Sequence, residues 1–99
     1  MGAVEPNPIV VVTLTIRPGR EAEFAAYERQ AAAIMARHGG RIERAIRAGA
    51  QEIHIVSFPS EARFDAYRHD PDLPAIAALR ESAISHTQIV RGFDVAPPE

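Results

Sequence analysis

A chain of 99 residues has room for one domain with a small hydrophobic core. Its hydrophobic share of 46% and charged share of 24% are typical of a folded globular protein, and its net charge of -2 gives no general attraction to nucleic acid or anionic membranes. The absence of cysteine excludes disulfides, thiolate catalysis and thiolate-bound zinc. The absence of lysine excludes Schiff-base chemistry and a Walker-type phosphate loop.

The N-terminus carries no targeting signal that we recognise. Residues 1–8 contain two prolines and no basic region of the kind that begins a signal peptide, so we interpret them as an entry segment. The longest apolar run covers residues 9–12, whereas a membrane span needs about 20. We therefore expect a cytoplasmic protein that has no membrane partner.

The first predicted element is a strand over residues 9–16, a run rich in β-branched side chains that ends at Arg17-Pro18-Gly19. Its even positions are wholly apolar: Val10, Val12, Leu14 and Ile16. Its odd positions are Ile9, Val11, Thr13 and Thr15. Both faces of this strand are therefore expected to be at least half buried.

The spacing then changes to that of a helix over residues 20–38. One side of this helix carries Phe24, Tyr27, Ala31, Ile34, Met35 and His38. Gly39-Gly40 supplies the left-handed stop.

Residues 41–48 alternate Ile with Arg and Glu, which predicts an edge strand protected by charge. A more apolar third strand is predicted over residues 51–58. Ser60 is expected to cap a second helix, which carries Phe64 and Tyr67 and stops at Asp70-Pro71.

A short helical stretch is expected to begin at Pro74. Its apolar side carries Ile76, Leu79, Ala83 and Ile84. The alternation over residues 87–95 predicts a fourth strand with Ile89, Phe93 and Val95 on one face. The domain is thus expected over residues 9–95, followed by a tail at residues 96–99.

The order β-α-β-β-α-β predicts a ferredoxin-like α+β sandwich with a four-stranded antiparallel sheet. Right-handed crossovers place both helices on one face of that sheet. The other face would expose several apolar side chains, which a monomer rarely tolerates. A second copy of the sheet is the simplest cover, so we predict a homodimer through the helix-free face.

His54 is the candidate for acid–base chemistry, because it lies in the middle of an apolar strand that the topology places at the centre of the sheet. Burial is expected to lower its pKa. The other interpretation is a neutral histidine held by a neighbouring polar group or buried at the dimer face. His38 suits a helix-capping role, and His69 and His86 are expected to be exposed. Because no metal-ligand motif is present, we predict no metal site.

Tyr27 and Tyr67 lie on the inward sides of the two main helices, where their hydroxyl groups could donate hydrogen bonds into a pocket. Phe58 and Phe64 are the predicted aromatic ligand-binding residues of the same pocket. Aromatic side chains at helical spacing also occur as plain core, and that interpretation stays open.

Five short motifs carry a resemblance to a known superfamily. They are Arg17-Pro18-Gly19-Arg20-Glu21-Ala22-Glu23-Phe24, His38-Gly39-Gly40-Arg41, Ser57-Phe58-Pro59-Ser60, Asp70-Pro71 and Leu79-Arg80. Together they resemble the dimeric α/β-barrel superfamily, and within it a domain of unknown function marked by Gly-Gly-Arg and Phe-Pro-Ser. More distantly, the chain is similar to antibiotic-biosynthesis monooxygenases and muconolactone isomerases. In that superfamily two sheets form a barrel between subunits, and the ligand pocket lies between each sheet and its own helices.

The resemblance also implies a role for Arg80, which corresponds to an arginine near the end of the family's short helix. Its cation could hold a carboxylate or an enolate. The other interpretation is an ion pair with Asp72, Asp65 or an acid of a partner subunit. Leu73 stands where the family commonly has an aromatic residue, so no pocket role is carried over to that position.

Two functions remain open at this stage. One is a small enzyme without a cofactor, of the monooxygenase, isomerase or proton-transfer type, that acts on a small metabolite through His54, Tyr67 and Arg80. The other is a non-catalytic homodimer with a binding or structural role. Nucleic-acid binding is not expected, because the basic and aromatic sheet signature is absent.

Overall fold

A computed structural model describes residues 7–98 of the chain, so the entry segment predicted at residues 1–8 lies largely outside the described residues. The secondary structure follows the predicted order. The strands are β1 (Ile9–Ile16), β2 (Arg41–Ala48), β3 (Gln51–Ser57) and β4 (Ile84–Gly92). The helices are α1 (Glu21–Arg37), α2 (Glu61–Arg68) and α3 (Ala77–Ala83), with a 3₁₀ turn at Pro74–Ile76 before α3.

The four strands form one antiparallel sheet in the order β2-β3-β1-β4, the arrangement of a ferredoxin-like fold. The predicted edge position of β2 is confirmed, and all eight of its residues are exposed. β3 lies inside the sheet, because it pairs with β1 on one side and with β2 on the other. The fold class predicted from the sequence is therefore confirmed.

The core lies between the helices and one face of the sheet. Val10, Leu14 and Ile16 of β1 are buried there, and Leu14 packs in one cluster with Phe24 of α1. The intervening residues of β1 point to the opposite face, where they remain only half buried. The helices thus cover one face, as predicted.

Both helix ends predicted from local chemistry are confirmed. The Ser60 side-chain oxygen accepts a hydrogen bond from the backbone N–H of Arg63 at 3.1 Å, which caps α2. After α1, Gly39 has a φ of 76°, in the left-handed region that glycine adopts readily.

The predicted limits of the fourth strand were wrong. β4 begins at Ile84, three residues earlier than expected, and ends at Gly92, which pairs with Ile9 at the start of β1. Beyond this point β1 offers no partner, so Phe93 and Val95 lie past the strand and are 71% and 74% exposed. These two residues alternate with polar residues at the period of a strand, but β1 provides no partner for them.

The described residues contain no helix that is both long enough and apolar enough to span a membrane.

Gly40 is buried where the end of α1 approaches β3. A Cβ atom at this position would lie 2.5 Å from side-chain atoms of Met35 and of Phe58. We expect Gly40→Ala to lower the free energy of unfolding by about 1–3 kcal/mol, because these core side chains must move aside. Urea unfolding measures the change. The control is Gly92→Ala, at a position where a Cβ has open space. This substitution should change the free energy of unfolding by less than about 0.5 kcal/mol. Equal effects of the two substitutions would contradict this account of packing at Gly40.

Candidate functional site

A cavity of about 140 Å³ opens between the helix-covered face of the sheet and the helices. Its wall is mostly apolar, with polar groups at a few places. The polar or ionisable lining residues are Tyr27, Glu28, His54, Tyr67, Arg68, Arg80 and Thr87. A wider depression of about 580 Å³ near Arg41 and Phe93 is open to solvent, and Phe58 is the one predicted site residue that lines it. The predicted catalytic residues His54, Tyr67 and Arg80 thus share the smaller cavity.

His54 lies in the middle of β3, paired with Val12 of β1 and Ala45 of β2, and is 4% exposed. Its Nε2 is 2.9 Å from Oε1 of Glu28 and 2.7 Å from Oε2 of Glu52. Glu52 is two residues before His54 on the same face of β3, whereas Glu28 comes from α1. One imidazole and two carboxyl groups, from a strand and a helix, therefore meet beside the cavity, and of these residues His54 and Glu28 line it.

The predicted low pKa of His54 is wrong in direction. The hydrogen bond with Glu28 raises the pKa of His54 above its ordinary value of 6.5; burial acts in the opposite sense, and the hydrogen bond with Glu52 raises the pKa further. The predicted direction followed from the loss of solvent around the imidazole and did not include the two neighbouring carboxylates. Their contacts favour the imidazolium form.

The two carboxyl groups of this cluster differ in acidity. Burial raises the pKa of Glu28, and a hydrogen bond with Glu52 adds to that rise, while the contact with His54 offsets part of it. Burial also acts to raise the pKa of Glu52, but hydrogen bonds with Glu28, His54 and Arg47 outweigh it and lower the pKa. Arg47, the cross-strand partner of Glu52, donates to its Oε1 at 3.0 Å. Glu52 is thereby held as an anion, and Glu28 is the more basic carboxylate.

Across β1 from His54, the cavity wall carries Arg80 of α3 and Thr87 of β4. Nη2 of Arg80 donates to Oγ1 of Thr87 at 2.5 Å, and the Arg80 charge lies near enough to the Tyr27 hydroxyl to act on its pKa. Within residues 7–98 Arg80 has no ion pair, since Asp72 is bound by Arg37 and Asp65 lies near His69. The alternative expectation of an intrachain ion pair to Asp65 or Asp72 was therefore wrong.

Both tyrosines are half buried and line the cavity, as predicted. Burial raises the pKa of Tyr27, with the nearby Arg80 acting to lower it. Burial, followed by the neighbouring Tyr27 and Glu28, raises the pKa of Tyr67 to about 12. Both phenols are therefore neutral hydrogen-bond donors at physiological pH.

Phe58 and Phe64 are mainly core residues that also form part of the cavity wall. They are 2% and 5% exposed, and their ring centroids are 5.1 Å apart. Phe58 also packs against the ring of Tyr67 at 5.5 Å. Their packing holds Tyr67 at the cavity.

In the described part of the chain, one group of side chains brings donor atoms together closely enough to hold a metal ion. These are the donor atoms of Glu28, Glu52 and His54, all within 4.8 Å of one another. Nε2 of His54 lies 2.9 Å from the carboxyl group of Glu28 and 2.7 Å from that of Glu52. The expected absence of a metal remains a prediction.

The remaining histidines lie away from the cavity. His38 ends α1, but its main contact was not predicted: its Nε2 is 2.6 Å from a carboxylate oxygen of Asp70. Asp70, 8% exposed, also accepts hydrogen bonds from Arg37 and from the backbone N–H of Asp72. The hydrogen bond to His38 is the main cause that lowers the pKa of Asp70. This cluster ties the end of α1 to the turn after α2.

His69 and His86 are exposed, as predicted. Glu28 and Glu52 were not predicted from the sequence as site residues. Glu52 had a usable signal, because residues two apart on a strand share a face. The contact of Glu28 with His54 depends on how α1 packs on the sheet, which no local pattern gives.

Three solved structures illustrate the fold similarity. A protein of unknown function from Rhodopseudomonas palustris is 22% identical, with 94% of this chain and 86% of that chain covered and a TM-score of 0.73. SnoaB, a cofactor-independent oxygenase from Streptomyces nogalater, is 16% identical, with 95% and 100% covered and a TM-score of 0.73. An uncharacterised NIPSNAP domain protein from Burkholderia xenovorans is 16% identical, with 93% and 99% covered and a TM-score of 0.71. At these identities the likeness concerns the fold.

No curated protein matches the chain. A family of domains of unknown function, DUF1330, matches residues 10–93, which include every strand, helix and cavity residue described above except the first residue of β1. The suspected membership of a domain-of-unknown-function family is confirmed, and the chain belongs to the DUF1330 family.

Proposed function

We propose that the cavity binds a small organic molecule and that Glu28 and His54 move a proton to or from it, without a bound cofactor. The observation that carries this proposal is the buried imidazole of His54 between two carboxyl groups, at the wall of a largely apolar cavity. Acid–base groups whose pKa values are shifted by specific partners inside a cleft are typical of catalytic sites.

Glu28 is the proton acceptor in this mechanism. Its carboxylate lines the cavity, and its raised pKa makes it a stronger base than an ordinary glutamate. The imidazolium of His54, 2.9 Å away, stabilises the carboxylate and can return a proton. Glu52, fixed by Arg47, keeps the imidazole oriented.

The cavity wall also carries Tyr67, Tyr27 and Arg80, which are placed to stabilise negative charge on a ligand oxygen. Tyr67 and Tyr27 offer neutral hydroxyl donors, and Arg80 adds a permanent positive charge. Removal of a proton from carbon leaves an enolate, which such donors stabilise. Isomerisation and cofactor-independent oxygenation have this first step in common. SnoaB, which has a similar fold, is a cofactor-independent oxygenase.

Hydrogen exchange into simple carbon acids tests the proposal. The protein is incubated in D₂O with 2-oxobutyrate, phenylpyruvate or cyclohexanone, and loss of the α-proton signal is followed by NMR. We expect exchange above the buffer rate with at least one compound, and a reduction of about 10²- to 10⁴-fold in Glu28→Gln. The control Glu21→Gln, at an exposed position of the same helix, should retain the full rate.

Exchange at the buffer rate with all three compounds would overturn the enzymatic proposal. Binding without exchange would instead favour the alternative function, a non-catalytic homodimer that binds a small molecule. Thermal shift in the presence of each compound reports that binding independently of turnover.

We further infer that a second copy of the chain covers the helix-free face of the sheet. Apolar side chains on that face include Val11 and Val90, which are register partners, and Ile46 and Ile53, which are also register partners. In the single chain Val90 is 50% exposed and Ile46 is 40% exposed. A soluble monomer rarely leaves such a patch uncovered.

The size of the face suits a dimer. Four strands about 4.8 Å apart, each about eight residues long at about 3.3 Å per residue, give a face of roughly 500 Å² in projection. Two such faces together bury about 1,000 Å² or more, which is the minimum area expected of a biological interface.

A further inference from the structure

The guanidinium of Arg80 is a cation without a counter-ion in a largely apolar cavity. Its hydrogen-bond partner among residues 7–98 is the hydroxyl group of Thr87; neither this group nor the nearby Tyr27 hydroxyl carries a negative charge at physiological pH. The neighbouring lining residues include Leu14 of β1 and Ile89 of β4, which offer no polar group. A charge that is half buried in such surroundings is stabilised by an anion, and the cavity has room for one.

Thr87 is able to contribute to such an anion site. Its Oγ1 accepts the hydrogen bond from Arg80, so its own hydroxyl hydrogen is free to be donated elsewhere. The guanidinium has five N–H donors in a planar fork, of which the contact to Thr87 uses one. Several parallel donors remain, an arrangement that matches the two oxygens of a carboxylate.

The charged groups on the two sides of β1 are opposite in sign: His54 is on β3, whereas Thr87, which binds Arg80, is on β4. Arg80 is positive, whereas Glu28, Glu52 and His54 together hold two carboxyl groups against one imidazole. Arg68 also lines the cavity, but it is exposed and its guanidinium lies over the Phe64 ring, so Arg80 is the more buried cation. A molecule with one anionic group is therefore oriented with the anion at Arg80 and the rest of the molecule toward Glu28. A second negative charge near Glu28 would be repelled.

The volume of the cavity limits the ligand. At about 140 Å³ it is close to the roughly 150 Å³ of an apolar protein cavity that admits benzene. One ring, or a short chain of similar size, fills such a space.

We propose that Arg80, with Thr87 and Tyr27, forms an anion-binding subsite and that the substrates are small organic monocarboxylates. The carboxylate binds at Arg80, and the apolar body of the molecule lies along the cavity wall with its acidic C–H toward Glu28. This inference rests on the proposed function, because it assigns the same cavity as the substrate site, but the binding subsite can be tested without any turnover.

The test compares two single-ring probes that differ in charge alone. Binding of benzoate and of its neutral analogue benzamide is measured by ligand-observed NMR. For the wild-type protein we expect benzoate to bind at least about tenfold more tightly than benzamide. In Arg80→Gln benzoate should weaken by at least about tenfold while benzamide is unchanged, and Arg80→Lys should recover part of the loss.

Two further variants distinguish a failure of the anion subsite from a failure of the proposed proton transfer. Arg63→Gln removes an exposed arginine that does not line the cavity, and it should leave benzoate binding unchanged. Glu28→Gln should keep benzoate binding while abolishing hydrogen exchange, so a protein that binds benzoate but exchanges nothing retains the subsite and loses the proposed chemistry.

Equal affinity of the wild-type protein for benzoate and benzamide would overturn the anion subsite, and so would an absence of benzoate binding at about 10 mM. Either result would also be expected if an acid of a second subunit already paired with Arg80. Equal weakening of both probes in Arg80→Gln, with a lowered melting temperature, would assign Arg80 a structural role instead and equally overturn the proposal.

Discussion

The His54→Gln variant should lose about 100-fold or more of the hydrogen-exchange rate. Glutamine can still hydrogen-bond to Glu28 and Glu52, but it can neither hold a proton reversibly nor stabilise a carboxylate with a positive charge. The matched control is His69→Gln, which changes an exposed histidine at the end of α2. Unchanged exchange in His54→Gln, with a native circular dichroism spectrum, would contradict a catalytic role for this imidazole.

The charge state of His54 gives this prediction a readout that does not depend on any substrate. Its pKa is raised by Glu28 and Glu52, so NMR titration of the wild-type protein should place it above 6.5, and Glu52→Gln should move it downward. A histidine whose pKa is higher in the folded protein than in the unfolded chain also stabilises the fold. This stabilisation is complete when the pH is below the pKa of the unfolded chain, and it is lost as the pH rises through the pKa of the folded state. The melting temperature should therefore fall above about pH 6.5 in the wild type and less so in His54→Gln. Titration of His54 below 6.5 would contradict this assignment.

The sequence predicts most of the fold because its local signals are consistent with one another. The period of β1 and the double glycine after α1 locate those elements to within one residue. The fourth strand is the exception. Its apolar alternation continues through Phe93, but β1 stops pairing at Ile9, and only the three-dimensional partner decides where β4 ends.

The candidate site is predictable only in part. His54 is recognisable from the sequence because an ionisable side chain in a central apolar strand is unusual. The direction of its pKa shift depends on Glu28, which is 26 positions away in the chain and reaches the imidazole across the helix–sheet interface. Arg80 similarly lacks the acidic partners that its neighbours in sequence suggest, because Asp72 is taken by Arg37. Both the direction of the His54 pKa shift and the lack of an acidic partner for Arg80 depend on long-range packing rather than on residue type.

Thr13→Arg should convert the proposed homodimer into a monomer. Thr13 lies in the middle of β1 on the helix-free face, paired with Ile53 on one side and Gln88 on the other. An arginine there would place an unpaired charge in the centre of the proposed interface. Burial of such a charge costs several kcal/mol, which raises the dissociation constant by about 100-fold or more.

Light scattering at micromolar concentration measures this effect. The wild-type protein should give twice the 10.8 kDa of one chain, and Thr13→Arg should give the single-chain mass. Gln30→Arg adds the same charge at an exposed position of α1 and should remain dimeric. A wild-type particle of 10.8 kDa would refute the dimer. If Thr13→Arg forms a dimer as stable as that of the wild type, the subunits must meet through another surface. The reason is that a closely packed interface between two sheets cannot accommodate an arginine in the middle of β1 without exposing its charge to water.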